Sequence, residues 1–345
     1  IKLNHGHEPN PALVAGLVAY VQHRRSEDRK AAAAAMAPRR ITDRATGVSF
    51  VLSRLLIGNL LFTIPLLVLQ ARFSNRREAL APVALVALMI FVTELIQARG
   101  SMKVGEGRLL LFVTLFIPTV LLVASAVWTA MAGHRTLYRY LASSLFGVVA
   151  SLIVVIWFSR PTPALLRLDE IYWQTFAGLF GHGTNGNVTE VALKTLYRTA
   201  LKSAGAMLAP MCMVLVGFTC FIAMSWSKRA DDNFTTTVSR WSVPEQLLWP
   251  FLGAWTVVLL LLVFKASYLP MALALQVALS LGVLYAAQGI AIIVHWLLRR
   301  GIAISVRKLV TFVFLLAFLI PGLNVLVIFA LPLLGVTESW FTYRR

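Results

Sequence analysis

The chain has 345 residues, of which 59% are hydrophobic and only 13% are charged. A soluble domain of this size needs more polar residues than this to cover its surface. The composition therefore indicates an integral membrane protein. Lys and Arg number 32 against 14 Asp and Glu, a formal charge of +18. Because these cations fall mostly between apolar runs, we expect anionic lipids as partners. No nucleic-acid-binding module is recognisable, so nucleic acid is not an expected partner.

The first 48 residues form a basic arm. Its segment VQHRRSEDRKAAAAAMAPRR, 21–40, has an alanine run that favours a helix, and the apolar patch before it is too short to cross a bilayer. We expect a helix on the membrane surface, with Arg24, Arg25 and Arg29 directed at lipid headgroups. An arm that docks on a partner protein is the alternative interpretation.

Eight apolar runs approach the length that a helix needs to cross the hydrocarbon core, about 20 residues. Continuous Leu, Val, Ala and Phe without alternation predict helices rather than a membrane β-barrel. We therefore predict an all-α polytopic transmembrane helical bundle of about eight spans. The spans are expected at roughly 50–71, 79–98, 108–131, 138–159, 205–226, 246–264, 268–298 and 308–336. Four of them fall within 49–160 and four within 205–345.

Polar residues interrupt the first two spans. Asn59, Thr63 and Gln70 share one helical face, either as hydrogen-bonding glue between helices or as the lining of a ligand site. Glu94 is a carboxylate embedded in an apolar run, five residues before Arg99. An ion pair with a basic neighbour and a proton relay are the two interpretations of Glu94.

The longest connection, 161–204, separates the two groups of spans. Its aromatic segment favours headgroup depth, and a Gly- and Asn-rich loop follows it. Lys194, Arg198 and Lys202 then recur at four-residue spacing and predict a basic helix face, which Leu196 and Leu201 would anchor to the membrane. We expect lipid headgroups or a partner protein at this face.

The seventh span carries a polar stripe. Tyr285, Gln288 and His295 lie on one helical face, next to a face of small residues formed by Gly282, Ala286 and Gly289. Small residues let a second helix approach closely, so the stripe should face the bundle interior. There it either joins helices by hydrogen bonds or lines a ligand site.

The last span contains a predicted break. Pro321 removes a backbone hydrogen bond and Gly322 loosens the next turn, which leaves Asn324 near the freed backbone groups. Broken helices often carry substrate sites in transporters.

Motifs for catalysis are absent from the sequence. It has no GxxxxGK, HExxH, CxxC or GxSxG pattern, so we expect no catalytic residues, no metal and no cofactor, and an enzyme ranks third among the function classes. Cys212 and Cys220 are separated by about 12 Å along one helix and cannot bridge each other.

Three segments near the carboxyl end resemble the YybS-like family of bacterial multi-pass membrane proteins. They are WSVPEQLLWPFLGAW at 241–255, LYAAQGIAIIVHWLLRRG at 284–301 and FLIPGLNVLVIFALPLLGVTESWFTYR at 318–344. The resemblance implies a bacterial inner membrane. The family has no assigned activity to carry over, and the basic arm departs from its pattern. The hydropathy layout is similar to that of substrate-binding subunits of energy-coupling-factor vitamin importers, an analogy of fold alone.

Two functions follow as expectations. The first is a non-enzymatic membrane subunit that binds or translocates a small solute, with a cavity lined by Tyr285, Gln288, His295, Asn324, Asn59 and Glu94. The alternative is an accessory or scaffold subunit of a larger membrane complex, held through the basic arm and the 161–204 connection. Other membrane subunits are expected partners in both cases.

Overall fold

The structure, a computed structural model, describes residues 42–55, 58–70, 73, 76–99, 105–181, 190–227, 233–302, 305–319, 323–341 and 343–344. The regular elements of these residues are all helices, which confirms the all-α prediction. They are α1 (42–53), α2 (Gly58–Leu61), α3 (Thr63–Gln70), α4 (Arg76–Ala98), α5 (Gly105–Ala130), α6 (Thr136–Phe158), α7 (Pro163–Gly181), α8 (Glu190–Ser227), α9 (Asn233–Ser239), α10 (Leu248–Val263), α11 (Tyr268–Arg299), α12 (Val306–Leu319) and α13 (Leu323–Thr337). A 3-10 turn, Glu245–Leu247, precedes α10. Residues 1–41 of the basic arm, which include Arg24, Arg25 and Arg29, lie outside the described residues, and residues 42–48 of the arm belong to α1.

Six helical segments are long and apolar enough to cross a membrane, so the chain is a multi-pass helical membrane protein. They are Glu78–Ala98, Gly107–Ala130, Thr136–Phe158, Glu190–Ser227, Glu245–Val263 and Tyr268–Arg299. These segments match the second to seventh predicted spans. The first and last predicted spans contain shorter helices instead. α12 and α13 have 14 and 15 residues, roughly 21 and 22 Å, less than the hydrocarbon core of about 30 Å. Pro321 and Gly322, the predicted break, lie outside the described residues.

Two long helices form the centre of the bundle. In the most apolar stretch of α8 and of α11, 56% of the residues are buried, against 6% in the Glu245–Val263 span. α8 packs against α3, α6 and α11, and α11 packs in addition against α10 and α13. The apolar surface of α10 therefore faces outward, as expected of a helix in contact with lipid.

α11 extends well beyond its neighbour α10. The two helices are joined by the short segment 264–267. At the other end of α10, the segment that precedes it contacts α11 at Gln288, where the backbone N–H of Val243 donates to the Gln288 side chain. From Gln288, α11 continues to Arg299, about 16 Å further. This extension supplies one wall of the site described below.

α8 extends in the same way at the opposite end of the bundle. The Tyr268 hydroxyl, on the first residue of α11, donates to the Lys202 carbonyl at 3.0 Å. The stretch from Glu190 to Lys202 continues about 18 Å past this contact, and α7 packs against it. We call α7 together with residues 190–202 the projecting hairpin.

The closest packing in the bundle joins α11 to α13. A Cβ atom built on Gly289 would overlap the backbone carbonyl of Leu331, and one on Gly335 would overlap the carbonyl of Tyr285. Two backbones this close require glycine at both positions. The predicted small-residue face is thus a helix contact at Gly289, but Gly282 has open space around it.

Alanine substitutions should distinguish the two glycines that contact a backbone carbonyl, Gly289 and Gly335, from Gly282, which has open space around it. Gly289→Ala and Gly335→Ala should destabilise the protein by about 1–3 kcal/mol, because the added methyl overlaps backbone that cannot give way. Gly282→Ala is the matched control on the same helix, and it should be neutral or stabilising by up to about 1 kcal/mol through helix propensity. Thermal unfolding in detergent measures all three. Equal effects of Gly282→Ala and Gly289→Ala would contradict the packing.

Candidate functional site

Gln288 joins three parts of the chain near the carboxyl end of α11. Its side chain is buried, and its Oε1 accepts the Val243 backbone N–H at 2.9 Å. Its Nε2 donates to Glu338 Oε2 at 2.7 Å. The predicted inward orientation of this side chain is present, and its amide serves as a link between α11, the segment before α10 and the chain after α13.

Glu338 in turn binds Arg344. The guanidinium donates from Nε to Oε1 and from Nη2 to Oε2 of the carboxylate, a two-pronged arrangement that is stronger than a single contact. Arg344 Nη1 also donates to the carbonyls of Ser239 and Trp241, both at 2.8 Å. We call Gln288, Glu338, Arg344 and these backbone groups the carboxyl-terminal network. It fixes the last turn of the chain against the end of α9.

The network keeps Glu338 ionised. Burial alone raises the pKa of this carboxyl, but hydrogen bonds from Arg344 and Gln288 and the charges of Arg344 and His295 outweigh burial. The pKa of Glu338 therefore lies below its ordinary value of 4.5.

An open cleft of about 870 Å³ lies beside this network. Its walls come from α9 and the segment after it, the last two turns of α11 and the chain after α13. The lining residues are Thr236, Ser239, Arg240, Ser242, His295, Leu298, Arg299, Glu338 and Arg344.

Basic side chains outnumber acidic ones among the described residues that line the cleft. These residues include three arginines, Arg240, Arg299 and Arg344, and one carboxylate, Glu338, which binds Arg344. His295 adds a ring that can donate a hydrogen bond, and Thr236 and Ser242 add hydroxyl groups. Guanidinium and hydroxyl donors around one cavity suit an anion with several oxygen atoms.

The other predicted site residues are placed differently. Tyr285 is in the core, 3% exposed, with its ring 4.9 Å from that of Phe251, and it does not line the cleft. Asn324 lies in α13, but its side chain is outside the described residues. Of the predicted stripe, His295 alone reaches the cleft.

Glu94 forms an ion pair. Arg54 Nη1 donates to Glu94 Oε1 at 2.6 Å, and the same guanidinium lies over the Phe50 ring at 5.3 Å. The partner therefore comes from the first apolar segment, forty residues earlier, rather than from Arg99. A carboxylate paired in this way favours the structural interpretation over a proton relay.

Asn59 lies on a polar face without internal partners. Asn59 Oδ1, Thr63 Oγ1 and Gln70 Oε1 are buried, and none has a hydrogen-bond partner within the described residues. Buried acceptors of this kind are usual positions for internal water. This face is far along the chain from the cleft residues and does not contribute to its lining.

The predicted basic face of α8 belongs to the projecting hairpin. Lys194, Arg198 and Lys202 are exposed, with the Lys194 ammonium 5.8 Å from the Trp173 ring centre and the Lys202 ammonium at the same distance from Tyr268. Leu193 and Tyr197 make the buried seam against α7, where the Tyr197 hydroxyl donates to Asp169 Oδ1 at 2.6 Å. Leu196 and Leu201, the predicted membrane anchors, are exposed, and their contact with a membrane stays a prediction.

Sequence reasoning missed Glu338, Arg344 and Arg240. A signal was present, because Glu338 is the only acidic residue after Glu245 in a strongly basic part of the chain. A lone carboxylate among cations marks a position where charge pairing is expected. Among the described residues, no three His, Cys, Asp or Glu side chains come together as a possible metal site.

Comparisons with known proteins find no matching family model, no matching curated protein and no matching solved structure. Function is therefore argued from the geometry of this chain.

The ionised Glu338 makes stability depend on pH. Its pKa is lower in the folded chain than the ordinary 4.5, so its contribution is present above pH 4.5 and is lost as pH falls through the folded value. The melting temperature of the wild type in detergent should therefore fall as the pH is lowered below 4.5. The melting temperature of Glu338→Gln should fall less over the same pH range. The control Glu245→Gln changes an exposed carboxyl at the same end of the bundle and should follow the wild type. Parallel curves for wild type and Glu338→Gln would contradict the network.

Proposed function

We propose that this protein is a membrane subunit that binds a small anionic solute in the cleft at the end of α11. The observation that carries the proposal is that Arg240, Arg299, Arg344 and His295 line one cavity, and that Glu338, the carboxylate among the described lining residues, already binds Arg344. Guanidinium groups can bind an anion with several oxygen atoms through two parallel hydrogen bonds.

The framework of the cleft supports a binding role. Gln288 and Glu338 lie behind its surface and hold Arg344 in a fixed direction, so part of the donor set is oriented before any ligand arrives. Preorganised donors lose less entropy on binding. The volume of about 870 Å³ falls within the usual range for small-molecule sites.

Five lining residues of the cleft, Ser242, His295, Arg299, Glu338 and Arg344, lie in the three segments that resemble the YybS-like family. We propose membership of that family and a bacterial inner membrane. Translocation of the solute is the extended form of the proposal.

Neighbouring arginines allow a matched test of anion binding. Arg299 lines the cleft, whereas the Arg300 guanidinium lies over the Trp296 ring at 3.7 Å and does not line it. With inorganic phosphate as the probe, isothermal titration at constant ionic strength should show at least about tenfold weaker binding for Arg299→Gln and His295→Gln, because each removes a donor to a charged ligand. Arg300→Gln should bind like the wild type. No binding by the wild type, or equal loss in Arg299→Gln and Arg300→Gln, would contradict the proposal.

A second function, that of an accessory or scaffold subunit, is favoured by the projecting hairpin. This element extends beyond the bundle and carries exposed apolar side chains, including Ile171, Tyr172 and Leu196. Apolar groups in such a position favour contact with another protein. Under this proposal the hairpin binds a further membrane subunit.

Removal of these side chains tests the second function. Serine at Ile171, Tyr172 and Leu196 should reduce the mass of the particle extracted from native membranes to that of the single chain, because the apolar contact is lost. Serine at Leu262 and Val263 is the control, since these side chains are more exposed than those of the hairpin but lie on α10. Mass photometry measures the particles. Unchanged mass in the hairpin variant would rule out a subunit bound through this surface.

A further inference from the structure

A second cavity lies at the opposite end of the bundle from the cleft. It is an open groove of about 460 Å³ between the start of α5, the end of α6 and the start of α7. Its lining residues are Arg108, Leu109, Phe112, Ile153, Val154, Trp157, Thr162 and Ala164. Apart from Arg108 and the Thr162 hydroxyl, the side chains of this groove are apolar.

The groove is at the depth where lipid headgroups meet acyl chains. Arg108 is the second residue of the Gly107–Ala130 span, and Trp157 is the last but one of the Thr136–Phe158 span. Tryptophan near a span end is typical of this boundary. Ile153 lies one turn deeper than Trp157, so the groove continues from the boundary toward the hydrocarbon.

Aromatic packing shapes the apolar wall. The Phe112 and Trp157 rings are 5.8 Å apart with their planes at 75°, an edge-to-face contact between α5 and α6. Ile153 is 60% exposed, and Phe112 is also exposed. This wall leaves apolar surface uncovered beside a charged residue.

The cation at the mouth of the groove is uncompensated. Within the described part of the chain, no carboxylate pairs with Arg108, whose side chain is exposed. An acyl chain would cover the apolar wall, and a phosphate would pair with the guanidinium at the depth that headgroups occupy. A phospholipid carries both an acyl chain and a phosphate.

We propose that the groove between α5, α6 and α7 is a binding site for an anionic phospholipid, with one acyl chain against Phe112, Ile153 and Trp157 and the headgroup phosphate at Arg108. A soluble phosphate compound lacks the chain, and a zwitterionic lipid carries a second charge of the wrong sign beside the guanidinium. The site is independent of the cleft at the end of α11.

Lipid competition tests the site, with phosphatidylglycerol and phosphatidylcholine of equal chain length as probes. Native mass spectrometry of the full-length protein in detergent should show at least threefold greater retention of phosphatidylglycerol. Arg108→Gln should abolish this preference, whereas Arg160→Gln, which removes another exposed cation near the same end of α6, should keep it. Equal retention of both lipids by the wild type, or loss of the preference in both variants, would overturn the proposal.

A second variant tests the acyl-chain contact. Ile153→Trp fills the groove from an exposed position, so it should reduce retention of both lipids without changing the melting temperature of lipid-free protein. Glycerol phosphate, which has the headgroup charge but no chain, should not displace phosphatidylglycerol from the wild type. Full displacement by glycerol phosphate, or normal retention by Ile153→Trp, would overturn the lipid assignment.

Discussion

A hydrogen-bonding side chain inside an apolar helix must find partners, because leaving its polar groups unpaired in the interior costs about 1–3 kcal/mol. Gln288 meets this constraint with both ends of its amide, through Val243 and Glu338. Glu338 then needs a cation, which Arg344 supplies, and the remaining guanidinium donor is directed at the end of α9. One buried amide therefore accounts for the position of four separate pieces of chain.

The same constraint contributes to the basic character of the cleft. Glu338 is the carboxylate among the described lining residues, and it is paired with Arg344 inside the network, whereas Arg240 and Arg299 add further positive charge. At the other end of the bundle, Arg108 lines a groove whose other side chains are apolar except for Thr162, which changes the expected ligand from a soluble anion to a lipid.

Much of the fold follows from composition and helical periodicity. Long apolar runs account for the six helices that are long and apolar enough to cross a membrane, and the stripe next to Gly289 correctly predicts that Gln288 is buried. Hydropathy is less informative about helix ends, since charged residues do not stop a helix. For this reason α8 begins at Glu190, well before the predicted span at 205–226. Apolar length also does not reveal that the first predicted span contains only the short helices α2 and α3 after α1, whereas Pro321 does mark an expected break in the last span.

Tertiary partners were harder to predict than orientation. The partner of Glu94 is Arg54 rather than the nearby Arg99, and Glu338 and Arg344 lie beyond the last apolar run, where the chain turns back onto α11. Such pairings depend on how loops and helices meet in space. A double-mutant cycle between Gln288→Met and Glu338→Met, measured as free energy of unfolding in detergent, tests the network most directly. Direct contact predicts a coupling of about 1 kcal/mol or more, and additivity within about 0.5 kcal/mol would contradict it.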